Sequence, residues 1–471
     1  MPSLPVTLLK GDKVSSKVEY RETLAENMIP VFKEVAGAQG YMTTYPGLTS
    51  FGTGKGIDRG GVYNERFNKH FRVSGTKFIE VGTDGTVTEL GDIPGTSQCT
   101  LIELASFNTQ GIIADGKLFL YSPLGGLVEV TDADLGNPID GTWIDGYYFL
   151  TDGEYIYHTD ITSETAIDPL KFATAEFMPD RSLGIAKTQD NKIIVFGRYS
   201  IEYFANIASD NFAFRRVESR AQKIGIVSSL AKCEIDGAFF IIGGKREESI
   251  SIHRVDLGSS AKIATREVDD ILSIYTEDDL ADVRVESRVE GDIAFILFQL
   301  PNHTLCYNLT IAKALGNSFA WSLIKSHVVD SVPYRGINGA FDPRISKWIY
   351  GDRNDSSIGF LDYTTAKHYN QKVEWVLYTP FLYIETASID QLELKTIPGF
   401  NTSDDAKVAV SATYNGVTYS MEEWFTYSDP LDYNKRFILY GLGYVPQFIG
   451  FKFRGVSESR MTFATMGVIF S

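Results

Sequence analysis

The chain has 471 residues, of which 44% are hydrophobic and 22% are charged. This composition excludes a disordered protein, and the length is enough for two or three domains. The 60 Asp and Glu residues outnumber the 44 Lys and Arg residues, so the net charge is −16. That charge argues against a protein that wraps nucleic acid on a broad basic face.

The first residues of the chain are predicted to form an extended N-terminal arm, residues 1–40. Pro2, Pro5 and Pro30 would break any long helix in this segment. Such an arm packs on its own domain or on a neighbouring chain, and residues 1–15 alternatively form a free terminus. The segment lacks the long apolar run and the small-residue cleavage site of a signal peptide.

Between residues 41 and 370, a turn followed by two hydrophobic runs recurs along the chain. Asp-Gly or Asn opens most of these units, because these residues tolerate the positive φ that tight turns need. Aromatic and β-branched residues fill the runs and favour pleated strands. The predicted hairpins cover residues 68–81, 115–130, 145–160, 190–204, 236–255, 291–308 and 342–362.

The spacing of these hairpins favours a β-propeller over residues 41–370. Later units start roughly 45 to 55 residues apart, which is near the period of four-stranded propeller blades. The interval from 115 to 145 is only 30 residues, so one blade is short or two hairpins share a blade. We therefore predict an all-β fold with six or seven blades. An array of β-sandwiches is the alternative.

Residues 268–285 interrupt the hairpins with a helical signal. Ile271, Leu272 and Tyr275 show helical spacing, and Thr276 precedes three acidic residues. Threonine is a good N-cap, and acids suit the first turn of a helix. We predict an inserted helix that packs on the ring.

Residues 371–471 are predicted to form a separate C-terminal antiparallel β-sandwich or barrel. Asn415-Gly416, between two hydrophobic runs, is a signal of a tight hairpin. From Tyr433 to Ser471 there are five Lys and Arg residues against one Glu, a local charge of +4. This basic end favours contacts between copies or with an acidic partner, or else it is a solvated face.

Catalytic and metal-binding patterns are weak in this sequence. Glycosidase sites need paired carboxylates, or a Tyr nucleophile with an arginine cluster, but the acids here mostly precede turn glycines. The six histidines and three distant cysteines lack metal-ligand or disulfide spacing, and the cysteines fit a reducing compartment. The Gly-rich stretch 52–61 is predicted to be a flexible loop, because its spacing differs from that of a phosphate-binding loop. We expect no enzyme activity, cofactor or metal, and, because no apolar run is long enough to cross a bilayer, no membrane insertion.

Tyr and Arg clusters are the candidates for contacts with other protein chains, because both residue types are enriched in binding hot spots. They are also common at strand ends in any β protein. The candidate contact residues are Arg59, Tyr334, Arg335, Tyr433, Lys435, Arg436, Lys452 and Arg454.

Short residue blocks in a fixed order between residues 40 and 452 carry a family resemblance. They are Gly40-Tyr41, Tyr45-Pro46-Gly47, Arg59-Gly60, Tyr63-Asn64, Arg72-Val73 before Gly75, Ile201-Glu202-Tyr203-Phe204, Tyr275-Thr276, Leu300-Pro301 with His303, Tyr334-Arg335-Gly336, Thr379-Pro380, Tyr433 with Lys435-Arg436, and Ile449-Gly450-Phe451-Lys452. In this order and spacing the chain resembles the packaged-DNA stabilisation, or tail hub, family of short-tailed bacteriophages with a tailspike and a needle. Asn434 departs from the family pattern, which has Asp at that position.

The resemblance implies a structural virion protein of the phage tail. It implies a homohexameric hub below the portal and its ring of adaptor (head completion) proteins. The hub would carry the tailspikes and the tail needle, close the DNA channel and stabilise packaged DNA. Double-stranded DNA would pass without sequence-specific binding, which suits an acidic protein because like charge opposes adhesion. The resemblance also implies assembly in the cytoplasm of the host bacterium.

Two other functions are open at this point. One is a carbohydrate-binding or glycosidase-like propeller that engages the host surface. The other is an interaction scaffold, which ranks last because the repeats lack a shared Trp-Asp signature.

Overall fold

The computed structural model describes residues 3–35, 37–104, 108–328, 332–384, 386–401, 404 and 406–471. Strands account for 55% of the structure and helices for 4%, which confirms the all-β prediction. The N-terminal segment contributes β1 (Ser3–Thr7), β2 (Gly11–Val14), β3 (Tyr20–Thr23), β4 (Ala25–Glu26), β5 (Met28–Val35), β6 (Ala38–Thr44) and β7 (Gly47–Thr53).

The next strands form the blades of a propeller. Blade 1 holds β8 (Asp58–Asn64), β9 (Lys69–Ser74), β10 (Lys77–Val81) and β11 (Val87–Asp92). Blade 2 holds β12 (Thr100–Leu104), β13 (Thr109–Ala114), β14 (Lys117–Ser122) and β15 (Gly126–Glu129). Blade 3 holds β16 (Asp140–Ile144), β17 (Tyr147–Thr151), β18 (Ile156–Asp160) and β19 (Ser163–Ala173). Blade 4 holds β20 (Ser182–Lys187), β21 (Ile193–Gly197), β22 (Ile201–Asn206) and β23 (Phe214–Arg216).

The remaining blades include two short helices. Blade 5 holds β24 (Gly225–Ile226), β25 (Lys232–Ile235), β26 (Ala238–Gly244), β27 (Ser251–Asp256) and β28 (Ser259–Lys262), and helix α1 (Arg266–Leu272) follows it. Blade 6 holds β29 (Arg284–Glu290), β30 (Ile293–Gln299), β31 (Thr304–Asn308), helix α2 (Leu309–Leu315) and β32 (Trp321–Ile324). Blade 7 holds β33 (Gly336–Asp342), β34 (Lys347–Asp352) and β35 (Ser357–Asp362). Short 3-10 turns occupy Glu218–Arg220 and Asn317–Phe319.

The N-terminal segment closes the ring. Strand β7 pairs antiparallel with β35 and so supplies the outer strand of blade 7. The inner strand of blade 7, β33, then packs against β8 of blade 1. Residues 54–57 connect these two blades, so the Gly-rich stretch predicted as a loop is a loop only at its centre. In the described part of the chain the propeller has seven blades, and the predicted hairpins 115–130 and 145–160 belong to different blades.

Turn chemistry places the hairpins as predicted. Six of the seven predicted hairpins form the two middle strands of one blade, and the hairpin at 115–130 forms the two outer strands, β14 and β15, of blade 2. Positive φ angles, from 50° to 57°, occur in their turns at Asn68, Asp115, Asp145, Asn191, Asp236, Gly291 and Ser346. Asn, Asp and Gly tolerate this left-handed conformation at the lowest cost, which explains their recurrence.

Apolar side chains between successive blades hold the ring together. Between blades 1 and 2, Phe71, Phe78 and Tyr121 pack with ring centroids 5.2 to 5.5 Å apart. Similar clusters join blade 2 to blade 3 and blade 3 to blade 4. One larger cluster runs through blades 4, 5 and 6, and two more join blade 6 to blade 7 and blade 7 to blade 1. Burial of one such aromatic side chain contributes about 1.5–3 kcal/mol. The propeller is therefore stabilised by the faces of its blades.

The predicted inserted helix is present, but its predicted N-cap was wrong. Helix α1 starts one residue after Thr265, whose hydroxyl accepts a hydrogen bond from the Val268 amide at 3.4 Å. Thr276 and Asp279 exchange hydrogen bonds in a turn that no helix follows. Leu280 after this turn is buried in the core, and β29 begins at Arg284, so no length remains for a second helix.

The C-terminal strands form two packed sheets. They are β36 (Val373–Tyr378), β37 (Leu382–Tyr383), β38 (Ala387–Thr396), β39 (Lys407–Thr413), β40 (Glu423–Thr426), β41 (Phe437–Val445), β42 (Phe448–Ser457) and β43 (Thr462–Phe470). One sheet has the order β41-β38-β43-β6-β5, with β1 also paired to β43. The other has the order β4-β36-β42-β39-β40, with β37 paired to β42. This arrangement is a β-sandwich, as one of the two predicted forms.

Strands from the predicted N-terminal arm are thus part of the sandwich sheets, and the predicted domain limits at residues 40 and 370 stay a prediction. The hairpin predicted at Asn415-Gly416 has a longer connection than expected. Strand β39 ends at Thr413 and β40 starts at Glu423. The Asn415 side chain accepts hydrogen bonds from the amides of Val417 and Thr418, which satisfies the backbone of a wider turn.

The propeller and the sandwich share one continuous sheet. Strand β4 runs parallel to β32 of blade 6 and antiparallel to β36 of the sandwich. Ala25 lies opposite Ser322, while Glu26 lies opposite both Leu323 and Val376. Backbone hydrogen bonds therefore cross directly from one part of the molecule to the other.

Gly351 on β34 allows a close approach between blades 7 and 1. A Cβ atom at this position would lie 2.0 Å from Cγ of the buried Asp58. We expect Gly351→Ala to lower the free energy of unfolding by about 1–3 kcal/mol, because the core has no space for the added atom. Urea denaturation followed by tryptophan fluorescence measures the loss. Gly467→Ala on β43, where no atom lies within 4 Å of the added Cβ, should be neutral or slightly stabilising, and equal effects would contradict this explanation.

Candidate interaction surfaces

Arg59, one of the candidate contact residues, lies inside the chain. Its guanidinium donates hydrogen bonds to the carbonyl oxygens of Ser97 at 2.7 Å, Pro94 at 2.8 Å and Gly75 at 3.0 Å. These carbonyls belong to the turn of one hairpin and to the connection between blades 1 and 2. Arg59 therefore fixes two irregular backbone segments, and its side chain is 98% buried within this chain.

Tyr334 and Arg335 lie where blades 6 and 7 meet. Tyr334 is fully buried and packs edge-on against Tyr45 and His368, with ring centroids 5.4 and 5.1 Å away. Burial raises the pKa of the Tyr334 hydroxyl well above its ordinary value. Arg335 donates to Asp352 at 2.7 Å and to Asp355 at 2.6 Å. Both side chains thus have internal partners, and their contact with another chain stays a prediction.

We expect the stability of the fold to depend on pH because of His368, which packs against Tyr334. Its Nδ1 lies 2.7 Å from the Ser326 hydroxyl, and burial lowers the pKa of the imidazole to about 3. In the unfolded chain a histidine takes up its proton near pH 6.5. The unfolded state therefore binds more protons below that pH, and stability falls as the pH drops from 6.5 toward 3. Between pH 7 and pH 5, protonation of this histidine in the unfolded state lowers the free energy of unfolding by about 2 kcal/mol.

The expected result for His368→Gln is a smaller loss of stability on acidification, because glutamine keeps a hydrogen-bonding side chain but does not titrate. Urea denaturation of wild type and variant at pH 7 and pH 5 measures the difference. The pH 7 values give the purely structural cost of the substitution. An unchanged pH dependence would show that His368 is not the responsible group.

The other five candidate residues lie on or beside the sandwich, and the charges of the four basic ones are paired within the chain. Arg454 on β42 donates to Glu374 at 2.8 Å and to Glu422 at 2.5 Å, and the hydrogen bond to Glu422 raises its pKa. Its guanidinium also lies over the Trp424 ring. Lys452 is 3.7 Å from Glu422. These two basic residues therefore form one charged cluster with acids of their own chain.

The remaining basic candidates are paired more loosely. Arg436 lies 2.8 Å from Glu393, but its side chain is largely exposed. Lys435 lies 3.7 Å from Asp429. Exposed pairs of this kind contribute about 0–1 kcal/mol each and exchange partners easily. Arg436 and Lys435 are therefore free to change partners at a protein interface.

Tyr433 belongs to an exposed apolar patch at one end of the sandwich. Its ring packs edge-on against Phe400 at 5.4 Å, and both side chains are more than half exposed. Leu431 beside them is 76% exposed and has a φ of 64°, which is unusual for leucine. Exposed apolar patches of this kind commonly mark protein contacts.

Exposed aromatic residues are concentrated in the sandwich. In the described residues, seven of the 14 exposed aromatic side chains follow residue 380. They are Tyr383, Phe400, Tyr414, Trp424, Tyr433, Tyr440 and Tyr444. Because aromatic residues are enriched at protein interfaces, the sandwich is the candidate contact surface of this molecule.

Buried polar residues connect the inner strands of the propeller. Asp140 of blade 3 accepts hydrogen bonds from Thr100 of blade 2, the Ile185 amide of blade 4 and Lys232 of blade 5, at 2.6 to 3.0 Å. On the other side, Asn338 of blade 7 donates to Asp58 of blade 1 at 2.7 Å. Paired and hydrogen-bonded, these groups hold the ring across its centre.

A second buried network joins the propeller to the sandwich. Lys325, just after β32, lies 2.5 Å from Glu26 and 2.6 Å from Glu374. Glu374 also binds Arg454, so the candidate cluster on β42 extends to this junction. The Asn27 side chain bonds the Glu374 carbonyl and the Lys325 amide. The junction is therefore fixed by side chains as well as by the shared sheet.

The β2–β3 hairpin forms a further bridge. Its backbone bonds the sandwich, from the Asp12 amide to Thr379 and from the Val14 amide to Gly416. Its charged side chains face helix α1 of the propeller. The ion pairs are Lys13–Glu267, Arg266–Glu19, Lys17–Asp270 and Arg21–Asp270. The hairpin thus attaches to the sandwich by hydrogen bonds and to the propeller mainly by ion pairs.

The structure shows no geometry typical of a metal site or of a membrane span in the part that it describes. No cluster of three or more His, Cys, Asp or Glu side chains there has metal-binding geometry. The cysteines are unpaired, and burial raises the pKa of the Cys99 thiol to about 11. Among the same residues, no helix has both the length and the apolar character needed to cross a bilayer.

Comparison with known families matches both parts of this architecture. The beta-propeller of bacteriophage P22 Gp10 matches residues 3–366, and the beta-sandwich of the same protein family matches residues 374–470. The chain belongs to the bacteriophage P22 Gp10 family. The tail hub protein gp10 of Salmonella phage P22 is 27% identical over 481 residues, which cover 98% of each chain. The family thus makes this chain a phage tail hub protein with a structural, non-enzymatic role in the virion tail.

Several solved structures are similar to this chain at low sequence identity. A streptogramin B lyase is 14% identical, with a TM-score of 0.42, over 67% of this chain and 97% of its own. The N-terminal domain of Nup159 is 8% identical, with a TM-score of 0.41, over 72% and 99%. An extracellular domain of BT4673 from B. thetaiotaomicron is 10% identical, with a TM-score of 0.45, over 87% and 59%. All three TM-scores are below 0.5, so these similarities indicate nothing about function.

No pattern in the sequence indicates the residues at the junction. Glu26, Lys325 and Glu374 lie far apart along the chain, and each is an ordinary charged residue in its local context. Their meeting depends on the pairing of β4 with β32 and β36. The exposed β41 tyrosines were likewise not among the candidates, although an uncharged strand rich in tyrosine is visible in the sequence.

Proposed function

We propose that this tail hub protein joins the portal-adaptor ring to the tailspikes and the tail needle, closes the DNA channel and stabilises the packaged DNA. The observation that carries the proposal is the similarity to the P22 tail hub over nearly the full length of both chains. Because the similarity spans the propeller, the sandwich and the junction between them, it favours the same role in the tail for both proteins.

The shape of the chain supports such a task. Strand β4 makes one sheet of blade 6 and the sandwich, so a load on one part reaches the other through backbone hydrogen bonds. The polar residues between the inner strands stiffen the ring. A hub between a portal and its tailspikes needs this kind of rigid body.

We further propose that identical copies form a homohexameric ring by head-to-tail contacts, assembled in the cytoplasm of the host bacterium. Head-to-tail contacts close into a ring when the rotation between copies permits it. The three unpaired cysteines suit assembly in a reducing compartment. The net charge of −16 suits a channel that double-stranded DNA passes without adhesion.

Deletion of the gene from the phage tests the proposal. Particles from the lysate are separated by density and imaged for filled heads, tailspikes and needles. We expect heads that package DNA, then lose it, and that lack spikes and needle. Expression of the wild-type gene in the host should restore stable particles. Filled, stable and spiked particles from the deletion phage that fail only to adsorb would overturn the proposal.

A further inference from the structure

Blade 7 is assembled differently from the other blades. Blades 1 to 5 each take their strands from one continuous stretch of chain, and blade 6 is held in addition by β4, which joins it to the sandwich. Blade 7 combines β33, β34 and β35 with β7, a strand that precedes blade 1 in the chain. The ring is therefore closed at the two boundaries of blade 7, with blade 1 and with blade 6, and we call these two boundaries the seam.

His70 lies at the boundary between blade 7 and blade 1. It is fully buried on β9, two residues before Arg72, whose guanidinium donates to the Asn338 carbonyl of blade 7. Alternate residues of a strand share a face, so His70 points toward blade 7 as well. Its Nδ1 is 3.9 Å from Oδ2 of Asp342 on β33, too far for a hydrogen bond. Burial, together with the positive charges of Arg72 and Arg344, holds the pKa of His70 well below its ordinary value.

His368 lies at the other boundary, between blade 7 and blade 6. It is also buried, and its backbone forms a bridge with Leu48 of β7. Its ring packs against Tyr334, in the connection from blade 6 to blade 7, and its Nδ1 lies 2.7 Å from the Ser326 hydroxyl just after β32. Burial and the positive charge of Arg335 lower the pKa of His368 to about 3. Each boundary of the seam thus contains a histidine that is neutral while the ring is closed.

Both histidines have a ring nitrogen without a hydrogen-bond partner. In the part of the chain that the structure describes, these atoms are Nδ1 of His70 and Nε2 of His368. A protonated imidazole donates from both nitrogens, so protonation in the closed ring would create a charged, buried donor that has no acceptor. When blade 7 moves away, water reaches both rings, and each takes up a proton at its ordinary pKa near 6.5. Opening of the seam is therefore coupled to the uptake of two protons.

We propose that the seam is an acid-sensitive switch, at which blade 7 separates from blades 1 and 6 as the pH falls from 7 to 5 while the other blades stay closed. Over this range each proton raises the population of the open seam by about 25-fold, and two protons raise it by about 600-fold. Blades 3 and 5 contain one buried histidine each, His158 and His253, so their opening takes up fewer protons. The sheet shared with the sandwich belongs to blade 6 and stays paired.

The other titratable groups around the two histidines do not produce this response. Aspartate in an unfolded chain titrates near pH 4, and tyrosine and arginine titrate at about pH 10 or above. Burial raises the pKa of Asp352, so this group favours the closed ring on acidification and opposes the histidines. The charged or titratable side chains that face the histidines are Arg72, Asp342 and Arg344 at His70, and Tyr334 and Arg335, with its partner Asp352, at His368.

Hydrogen exchange of the purified full chain tests the seam. Exchange of the amides in β7, β33, β34 and β35 is measured by mass spectrometry at pH 7 and pH 5, and corrected for the direct effect of pH on the chemical exchange rate. We expect the corrected exchange of these strands to rise by about 600-fold, because it follows the population of the open seam. The reference is β13 and β14 in blade 2, a blade without histidine, which should change far less.

Substitutions assign the response to the two histidines. Glutamine keeps a hydrogen-bonding side chain but does not titrate, so His70→Gln and His368→Gln should each reduce the rise in blade 7 to about 25-fold. The double variant should lose the rise. His253→Gln removes a buried histidine of blade 5, outside the seam, and is the matched control. It should keep the full response of blade 7.

Two results would overturn the switch. Equal acceleration of blades 2 and 7 in the wild type would show that acid unfolds the whole chain rather than the seam. A rise in blade 7 that persists in the folded double variant would assign the response to other groups. If the double variant does not fold at pH 7, the comparison of blades 2 and 7 in the wild type and the single variants still decides. The measurements use the purified chain, so their outcome is independent of the proposed role in the tail.

Discussion

Arg72→Met should lower the free energy of unfolding by about 3–5 kcal/mol, because it leaves a buried carboxylate without its cation. Arg72 of blade 1 donates to both oxygens of Asp58, at 2.7 and 2.9 Å, and neither side chain is exposed beyond a few percent. It also donates to the Asn338 carbonyl of blade 7 at 2.9 Å. The substitution therefore weakens the ring where its first and last blades meet.

The measurement is urea denaturation followed by tryptophan fluorescence, together with hydrogen exchange of β8 and β33. Arg254→Met is the matched control, because Arg254 lies 2.8 Å from Asp256 in an exposed pair. Arg254→Met should lower the free energy of unfolding by about 1 kcal/mol or less. In the double variant Asp58→Asn with Arg72→Met the buried charge is gone, so part of the stability should return. Equal losses in Arg72→Met and Arg254→Met would contradict a role of this pair in ring closure.

Lys325→Met should separate the propeller from the sandwich in unfolding, with a loss of about 3 kcal/mol in the free energy of unfolding. The Lys325 ammonium is buried between the carboxylates of Glu26 and Glu374. Without it, two acids on adjacent strands repel each other, although Arg454 still binds Glu374 at 2.8 Å. The repulsion acts on β4, which joins the two parts of the molecule.

Calorimetry and hydrogen exchange check this expectation. We expect the variant to show a separate transition for the sandwich, and faster exchange in β4 and β36 than in the blades. Lys367→Met is the control, because Lys367 pairs with Glu458 at 2.9 Å near the surface and lies outside the shared sheet. If Lys325→Met and Lys367→Met lose similar stability and keep the same number of transitions, the ionic network does not couple the two parts.

Neither Arg72 nor Lys325 was among the candidate contact residues, and Arg72 stood in the sequence analysis only within a block of the family resemblance. The candidates chosen from Tyr and Arg clusters included Arg59 and Tyr334, which are buried, because a residue type alone does not reveal which face of a strand points outward. Arg454 was chosen from the same pattern and lies in the charged cluster beside the junction. The exposed tyrosines of β41 were not among the candidates, because only the sheet order shows that this strand lies at an edge.

The sequence by itself determined the all-β class, one hairpin in each of the seven blades and the family resemblance. These features depend on neighbouring residues, since a tight turn needs Asp, Asn or Gly at positive φ and its strands need alternating apolar side chains. Local chemistry also predicted a helix near residue 270. It misplaced the cap, because Thr265 and Thr276 both have the side chain of an N-cap and the packing of Leu280 decided between them.

Only the tertiary structure decided how the strands combine. The closure of blade 7 by β7 and the sheet shared through β4 each depend on strands that are distant in sequence. The backbone hydrogen bonds between strands do not depend on which side chains the strands carry. Which strands pair is therefore decided by the apolar faces that can be buried together. The same reason explains the junction, where charges from three distant segments meet because the sheet brings their strands side by side.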